Sequence, residues 1–266
     1  MSKRILIDRN LCTSCGRCLI GCSARVYSYD GAGAPVLADD ADERCIGCGH
    51  CVCLCPSGAI AVDSISATSI TSVDTEHLPT PSQFAELVKY RRSVRNYKQE
   101  AIATDELKEL LAFLQYAPTA KNLHPLTWVV VNNPGSVREL SQMAIEGVRG
   151  DDRFAGMVAA WDAGYDWVNR GAPCVAIATA GPESHWYAQD GAIAAETLDL
   201  AAPLLGLGTC WAGLLMNFLA TNSELRQRLG IAEKDQIAAA LMIGYPDDEI
   251  YTSAPNRPEP VVRFVE

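Results

Sequence analysis

The strongest constraint on this chain is a cysteine spacing written twice, CTSCGRCLIGC at 12–22 and CIGCGHCVCLC at 45–55, the second followed by Pro56. Each run reads CxxCxxCxxxC. Three closely spaced thiolates can wrap the corner irons of one cubane, while a fourth further along points away towards a neighbouring cluster. Small residues let backbone amides approach the sulfurs, and Gly16, Gly47 and Gly49 suit such loops. The pattern signals electron transfer. Zinc sites usually pair two CxxC elements far apart in sequence, so this spacing favours clusters over zinc. Disulfides are disfavoured by the odd count of 11 cysteines and by the lack of a charged start followed by an apolar h-region. Cys53, Cys174 and Cys210 read as buried small apolar residues, not ligands.

The two runs resemble the bacterial two-cluster ferredoxins over about the first quarter of the chain. In those proteins the fourth cysteine of each run crosses to the other cluster. The resemblance implies two 4Fe-4S clusters, one held by Cys12, Cys15, Cys18 and Cys55 and the other by Cys45, Cys48, Cys51 and Cys22. Ser23 stands where the first run would usually continue with proline, and Cys53 is an addition inside the second. Neither removes a ligand.

With 266 residues, the chain exceeds the ferredoxin-like portion enough for a second domain with its own core. No apolar run approaches the roughly 18 residues needed to span a bilayer. A soluble, cytoplasmic protein with no membrane partner is expected, and oxygen-sensitive clusters fit a reducing interior. The net charge of -10 opposes a polyanion, so nucleic acid is not an expected partner. A basic redox partner or a small neutral or cationic substrate is permitted.

Alternation predicts short strands at Arg4–Asp8 and Ala59–Asp63 within a ferredoxin-like domain over 1–63. Residues 64–82 are polar and β-branched with two prolines and read as a linker. The second domain, 83–266, opens with a helix for which Ser82 is a candidate N-cap, followed by a second helix capped by Thr104 and ended by Pro118. TWVVV at 127–131 and PCVAIATA at 173–180 read as strands buried on both faces. Ala192–Leu205 reads as an apolar helix closed by Gly206 and Gly208, and Ile237–Ile243 as a third central strand. The fold class is α+β, a helix-flanked sheet following the two-cluster domain.

Four pieces of this second domain occur in the order and spacing of one family. They are RRSVRNY at 91–97, APTAKNLHP at 117–125, GAIAAETLDLAAPLLGLGTCWAG at 191–213 and IGYP at 243–246. Together they resemble the nitroreductase superfamily over roughly 83–266. The resemblance implies an FMN-binding α+β fold, working as an intertwined homodimer with flavin sites completed by the partner chain. FMN carries a dianionic phosphate, and Arg91, Arg92, Arg95 and the Ser93 hydroxyl supply forked donors in an otherwise acidic protein. A solvated basic helix end is the competing reading of that stretch. The family pattern also puts Asn122 beside the flavin ring, Trp211, Ala212 and Gly213 on the backbone segment that approaches it, and Arg257 near the phosphate. His124 stands where glutamine usually follows, and an imidazole N–H could replace its hydrogen bond.

Clusters pass one electron at a time, whereas FMN accepts electrons singly and hands on two together. The leading expectation is therefore an iron-sulfur flavoprotein oxidoreductase that takes electrons from its clusters through FMN to an electron-poor small molecule, a nitroaromatic or quinone. Reduced ferredoxin is one candidate donor. NAD(P)H reducing FMN directly, with outward flow to the clusters, is the first rival. A specialised reaction such as reductive dehalogenation is the second, and a non-enzymatic redox carrier the third. Residues 144–170, with Trp161, Tyr165 and Trp167, are read as a substrate lid against ordinary helix packing. No catalytic acid or base is assigned, because the flavin performs the chemistry.

Overall fold

The computed structural model describes residues 4–247 and 253–265. The chain forms two compact units. One runs up to Leu78 and includes Lys121–Leu123, and the other comprises Pro79–Ala120 and the residues from His124 onward.

The first unit contains β1 (Ile5–Ile7), α1 (Arg17–Gly21), β2 (Tyr27–Tyr29), β3 (Pro35–Leu37), α2 (Ala41–Arg44), α3 (His50–Leu54) and β4 (Ile60–Val62). β1 pairs antiparallel with β4, Ile5 opposite Val62, and β2 pairs antiparallel with β3. The predicted strand positions are thus occupied, each a residue shorter at both ends. Ile5, Val26, Tyr27, Val52, Ile60 and Val62 form a small core. Arg4 fastens its edge: the guanidinium forks onto Asp63 at 3.1 and 2.8 Å and donates to the Cys45 carbonyl at 2.8 Å.

The second unit contains α4 (Pro81–Tyr90), α5 (Thr104–Ala112), β5 (Thr127–Asn132), α6 (Pro134–Glu146), α7 (Ala155–Asp162), β6 (Cys174–Ala180), α8 (Tyr187–Ala201), β7 (Gly208–Trp211), α9 (Gly213–Thr221), α10 (Ser223–Arg228) and β8 (Gln236–Gly244). The sheet order is β5-β6-β8-β7, antiparallel throughout. β6 and β8 are central, and every residue of β6 is buried. Along β6, Val175 and Ile177 face the core made with Val137, Leu140, Leu215 and Leu219, while Cys174, Ala176 and Ala178 face the core made with Leu110 and Leu198. This is the period-2 alternation of a strand covered on both sides. The second face carries small residues because α8 lies close against it. A Cβ on Gly191 would come within 2.5 Å of the Ala238 carbonyl oxygen.

Several local expectations are corrected. β5 is an edge strand, partly exposed along its length, because only β6 pairs with it. Thr80, not Ser82, caps α4, since Gln83 three residues on completes a capping box and Pro81 takes the first helical position. Thr104 is the first residue of α5 and not its cap; Ala103 holds the N-cap position and makes no side-chain cap bond. A 3-10 turn over Phe113–Tyr116 separates that helix from Pro118. α8 starts at Tyr187, and β7 is a further strand that begins at Gly208, one of the two glycines expected to stop that helix.

Candidate functional site

In the first unit, the eight cysteines of the repeat line two separate cavities. Cys12, Cys15, Cys18 and Cys55 line one, with Gly16, Ser57 and Ile60. Cys22, Cys45, Cys48 and Cys51 line the other, with Gly49, Tyr27 and His50. Left-handed backbone shapes each loop: Gly16 has φ 72°, Gly47 64° and Gly49 67°, and Ser14 repeats the Gly47 geometry at 55°. These residues release the chain into α1 and α3, which carry Cys18 and Cys51 inward. The Ala59 amide donates to the Cys55 sulfur at 3.2 Å, the N–H to sulfur contact that stabilises a thiolate. Four soft donors around each small cavity fit a thiolate-ligated cluster.

Cys174 and Cys210 are buried as expected, and burial pushes the Cys174 thiol up to about 12, which leaves it inert. Cys53 is a correction. It is exposed, because Cys51 and Val52 take the inward face of the short helix α3 and leave Cys53 on its outer side.

In the second unit, Arg91, Arg92, Ser93, Arg95 and Arg257 line one cavity of about 510 Å³ together with Lys89. The strap carrying the first three arginines is pinned to the sheet. Val94 donates to the Thr209 carbonyl at 2.8 Å, Lys98 to that of Tyr245 at 2.9 Å, and the buried Tyr97 hydroxyl to the Val94 carbonyl at 2.6 Å. Gly208 makes the fit, since a Cβ there would lie 2.5 Å from a Val94 methyl. Arg92 also donates to the Ser253 carbonyl at 3.0 Å, bringing the C-terminal segment to the cavity.

Arg91 is held from behind by acids that sequence patterning does not reveal. Its guanidinium lies 3.2 Å from Asp199 and 3.8 Å from Glu196, and its Nε is buried with no hydrogen-bond partner. Asp199 also accepts a short hydrogen bond from Thr209 Oγ1. Burial raises the Asp199 pKa, with the Thr209 bond and Arg91 opposing that shift. An orphaned guanidinium nitrogen and forked donors at one basic cavity fit a dianionic phosphate.

Trp211 ends β7, two residues beyond the Thr209 to which the strap is bridged; it is 44% exposed, whereas Ala212 is fully buried. The Ala212 amide is spent on the Ala240 carbonyl at 2.8 Å, and Gly213 opens α9 with its first amides uncommitted to the sheet. Asn122 adopts φ 57° within the three-residue segment that groups with the first unit. The turn around it is fastened by the His124 amide on Thr119 Oγ1 at 3.0 Å and by the Ala120 amide on the buried Asp190 at 2.9 Å. Asp190 was missed by patterning, though an acid inside the apolar run of α8 is its signal. In the 144–170 segment, Trp161 packs on the core beneath Arg138 at 4.7 Å, whereas Tyr165 and Trp167 are exposed.

Residues 88–245 match the model of the Nitroreductase family, and residues 11–60 that of the 4Fe-4S dicluster domain. A protein of Archaeoglobus fulgidus provisionally named NADH dehydrogenase/NAD(P)H nitroreductase is 27% identical over 163 residues, 61% of this chain and 85% of that one. A nitroreductase with bound FMN from Bacteroides fragilis superposes with a TM-score of 0.60 at 25% identity, covering 69% of this chain and 99% of that one. Another with bound FMN, from Desulfitobacterium hafniense, shares the fold with a TM-score of 0.58 at 22% identity, covering 69% and 98%. The chain belongs to the nitroreductase family, with a 4Fe-4S dicluster domain ahead of the part that defines it.

Proposed function

We propose that this protein is an FMN-dependent oxidoreductase that takes electrons in at its cysteine-rich unit and delivers them through the flavin to an electron-poor acceptor, a nitroaromatic or quinone. The observation that carries the reading is the presence in one chain of two four-thiol cavities and a four-arginine cavity. Cys12, Cys15, Cys18 and Cys55 would hold one 4Fe-4S cluster, and Cys22, Cys45, Cys48 and Cys51 the second. Arg91, Arg92, Ser93, Arg95 and Arg257 would hold the FMN phosphate, with the Trp211–Gly213 backbone beside the ring. When bound, FMN supplies the conversion between single electrons and an electron pair. The protein's part is to fix the phosphate, shape the ring site and wrap the clusters. Asp199 and Glu196 keep Arg91 aligned before the phosphate arrives. A homodimer, with each site completed by the partner chain, belongs to the same reading.

Replacing Cys15 or Cys48 by alanine is expected to abolish acceptor reduction driven by reduced ferredoxin while FMN remains bound. Unchanged turnover in both variants would sink the inward route. The names of relatives favour a second reading, in which NAD(P)H reduces the flavin directly. Anaerobic stopped flow separates the two. Flavin bleaching by NADH or NADPH before any change in cluster absorption supports the second, and bleaching only by ferredoxin, after the clusters, supports the first.

A further inference from the structure

The first unit is an internal repeat: Cys12, Cys15, Cys18 and Cys22 recur 33 positions later as Cys45, Cys48, Cys51 and Cys55. The same offset relates Tyr27 to Ile60. Both fall five positions after the last cysteine of their run, and each lines one of the two cavities, Tyr27 that of Cys22, Cys45, Cys48 and Cys51, and Ile60 that of Cys12, Cys15, Cys18 and Cys55. The two halves therefore place different chemistry at one equivalent position. Tyr27 is 7% exposed, shares its core with Cys51, and its hydroxyl is buried with no partner in hydrogen-bond geometry. A buried, unsatisfied hydroxyl is costly and calls for an acceptor. Four thiols, those of Cys22, Cys45, Cys48 and Cys51, line the same cavity.

We propose that Tyr27 is a hydrogen-bond donor to the sulfur of the second cluster, at or beside the Cys51 thiolate, and that this bond makes the second cluster the easier of the two to reduce. This rests on the ligand sets proposed above. A hydrogen bond to a cluster sulfur stabilises the more negative, reduced state and so raises the potential. One electron is taken up, no bond is made or broken, and the phenol keeps its proton. Ile60 has no side-chain donor to offer the first cluster; the counterpart there is the Ala59 amide on the Cys55 sulfur, and a phenol O–H is a more acidic and stronger donor than an amide N–H. The repeat also sets Arg17 against His50, which would favour the first cluster through charge. Arg17 is exposed, however, so solvent screens it, whereas the Tyr27 hydroxyl acts in the interior.

The test is a spectroelectrochemical titration of the fully assembled protein, with iron and acid-labile sulfide counted first. Failure to find two clusters in the wild type would defeat the ligand assignment itself. With both present, Tyr27→Phe is expected to lower the higher-potential couple by about tenfold in its equilibrium constant, 59 mV for one electron, and to leave the other couple in place. Arg17→Ala is expected to move neither appreciably. Two unmoved couples, a joint shift, or a shift of the lower couple alone overturns the proposal. Should Tyr27→Phe fail to assemble its clusters, 3-fluorotyrosine at position 27 decides. Its more acidic hydroxyl keeps the shape and is expected to raise the higher couple, and an unchanged potential there overturns the proposal.

Discussion

Arg95 and Arg257 show how far single residues can be read. The sequence marks both as basic, and the structure sets them on one cavity wall although 162 positions separate them. Removing either guanidinium should cost about 1.5 kcal/mol of a charge-assisted hydrogen bond, near tenfold in FMN affinity. Titrating FMN into Arg95→Ala and Arg257→Ala by flavin fluorescence checks this, and an unchanged Kd would place the phosphate elsewhere. Asp199 was illegible, because an acid in an amphipathic helix looks the same whether it faces water or an arginine strap. Its raised pKa carries a pH signature. At low pH both states hold the proton. As pH rises the unfolded chain ionises first, and stability falls until Asp199 in the folded protein has ionised too. Asp199→Asn should remove that decline. Urea unfolding followed by tryptophan fluorescence at several pH values would show it, since all five tryptophans lie in the second unit.

At the scale of elements, a continuous β-branched run exposed β6, and apolar runs exposed β8 and most of α8. β7 was hidden. Its four residues, GTCW, are too short to show alternation, and strand character there comes from pairing with β8, a long-range property. Edge position was likewise unreadable for β5, whose TWVVV is as apolar as a central strand. Gly206 and Gly208 look like helix punctuation in the sequence, yet Gly208 serves the arginine strap by leaving room for Val94. Gly208→Ala should therefore cost about 1–3 kcal/mol by overpacking and weaken FMN binding without touching an arginine. Loss of thermal stability with FMN affinity intact would mean that the strap shifts without disturbing the phosphate donors.

The whole molecule joins a unit centred on thiols to one centred on a sheet. The cysteine spacing made the loops of the first legible, because a cluster dictates its ligand loops, but not the β2–β3 hairpin or the short helices α1, α2 and α3; the second needed a family pattern, since a helix-flanked sheet has many sequence solutions. The small apolar core of the first unit implies that cluster assembly supplies much of its folding energy. Removing iron with a chelator is expected to unfold that unit, seen as a loss of hydrogen-exchange protection at Ile5–Ile7 and Ile60–Val62, while tryptophan fluorescence stays native. Retained protection in the iron-free protein would show that the apolar core suffices. Phe84, Val88, Ile193 and Leu204 are exposed apolar side chains on the second unit, and the proposed homodimer would cover such surface. Sedimentation of the intact protein at half the expected dimer mass would rule that assembly out.

The pairing of β1 with β4 has a mechanical consequence. Ile5 faces Val62, so the chain enters and leaves this antiparallel ribbon at the same end. Tension between the amino terminus and the rest of the chain would load these bonds in sequence, Ile5 before Ile7, as a zipper opens, instead of shearing them together. Arg4, forked onto Asp63 at that end, is the first fastening to give way. An unfoldase pulling on the amino terminus would meet a seam before it met the metal.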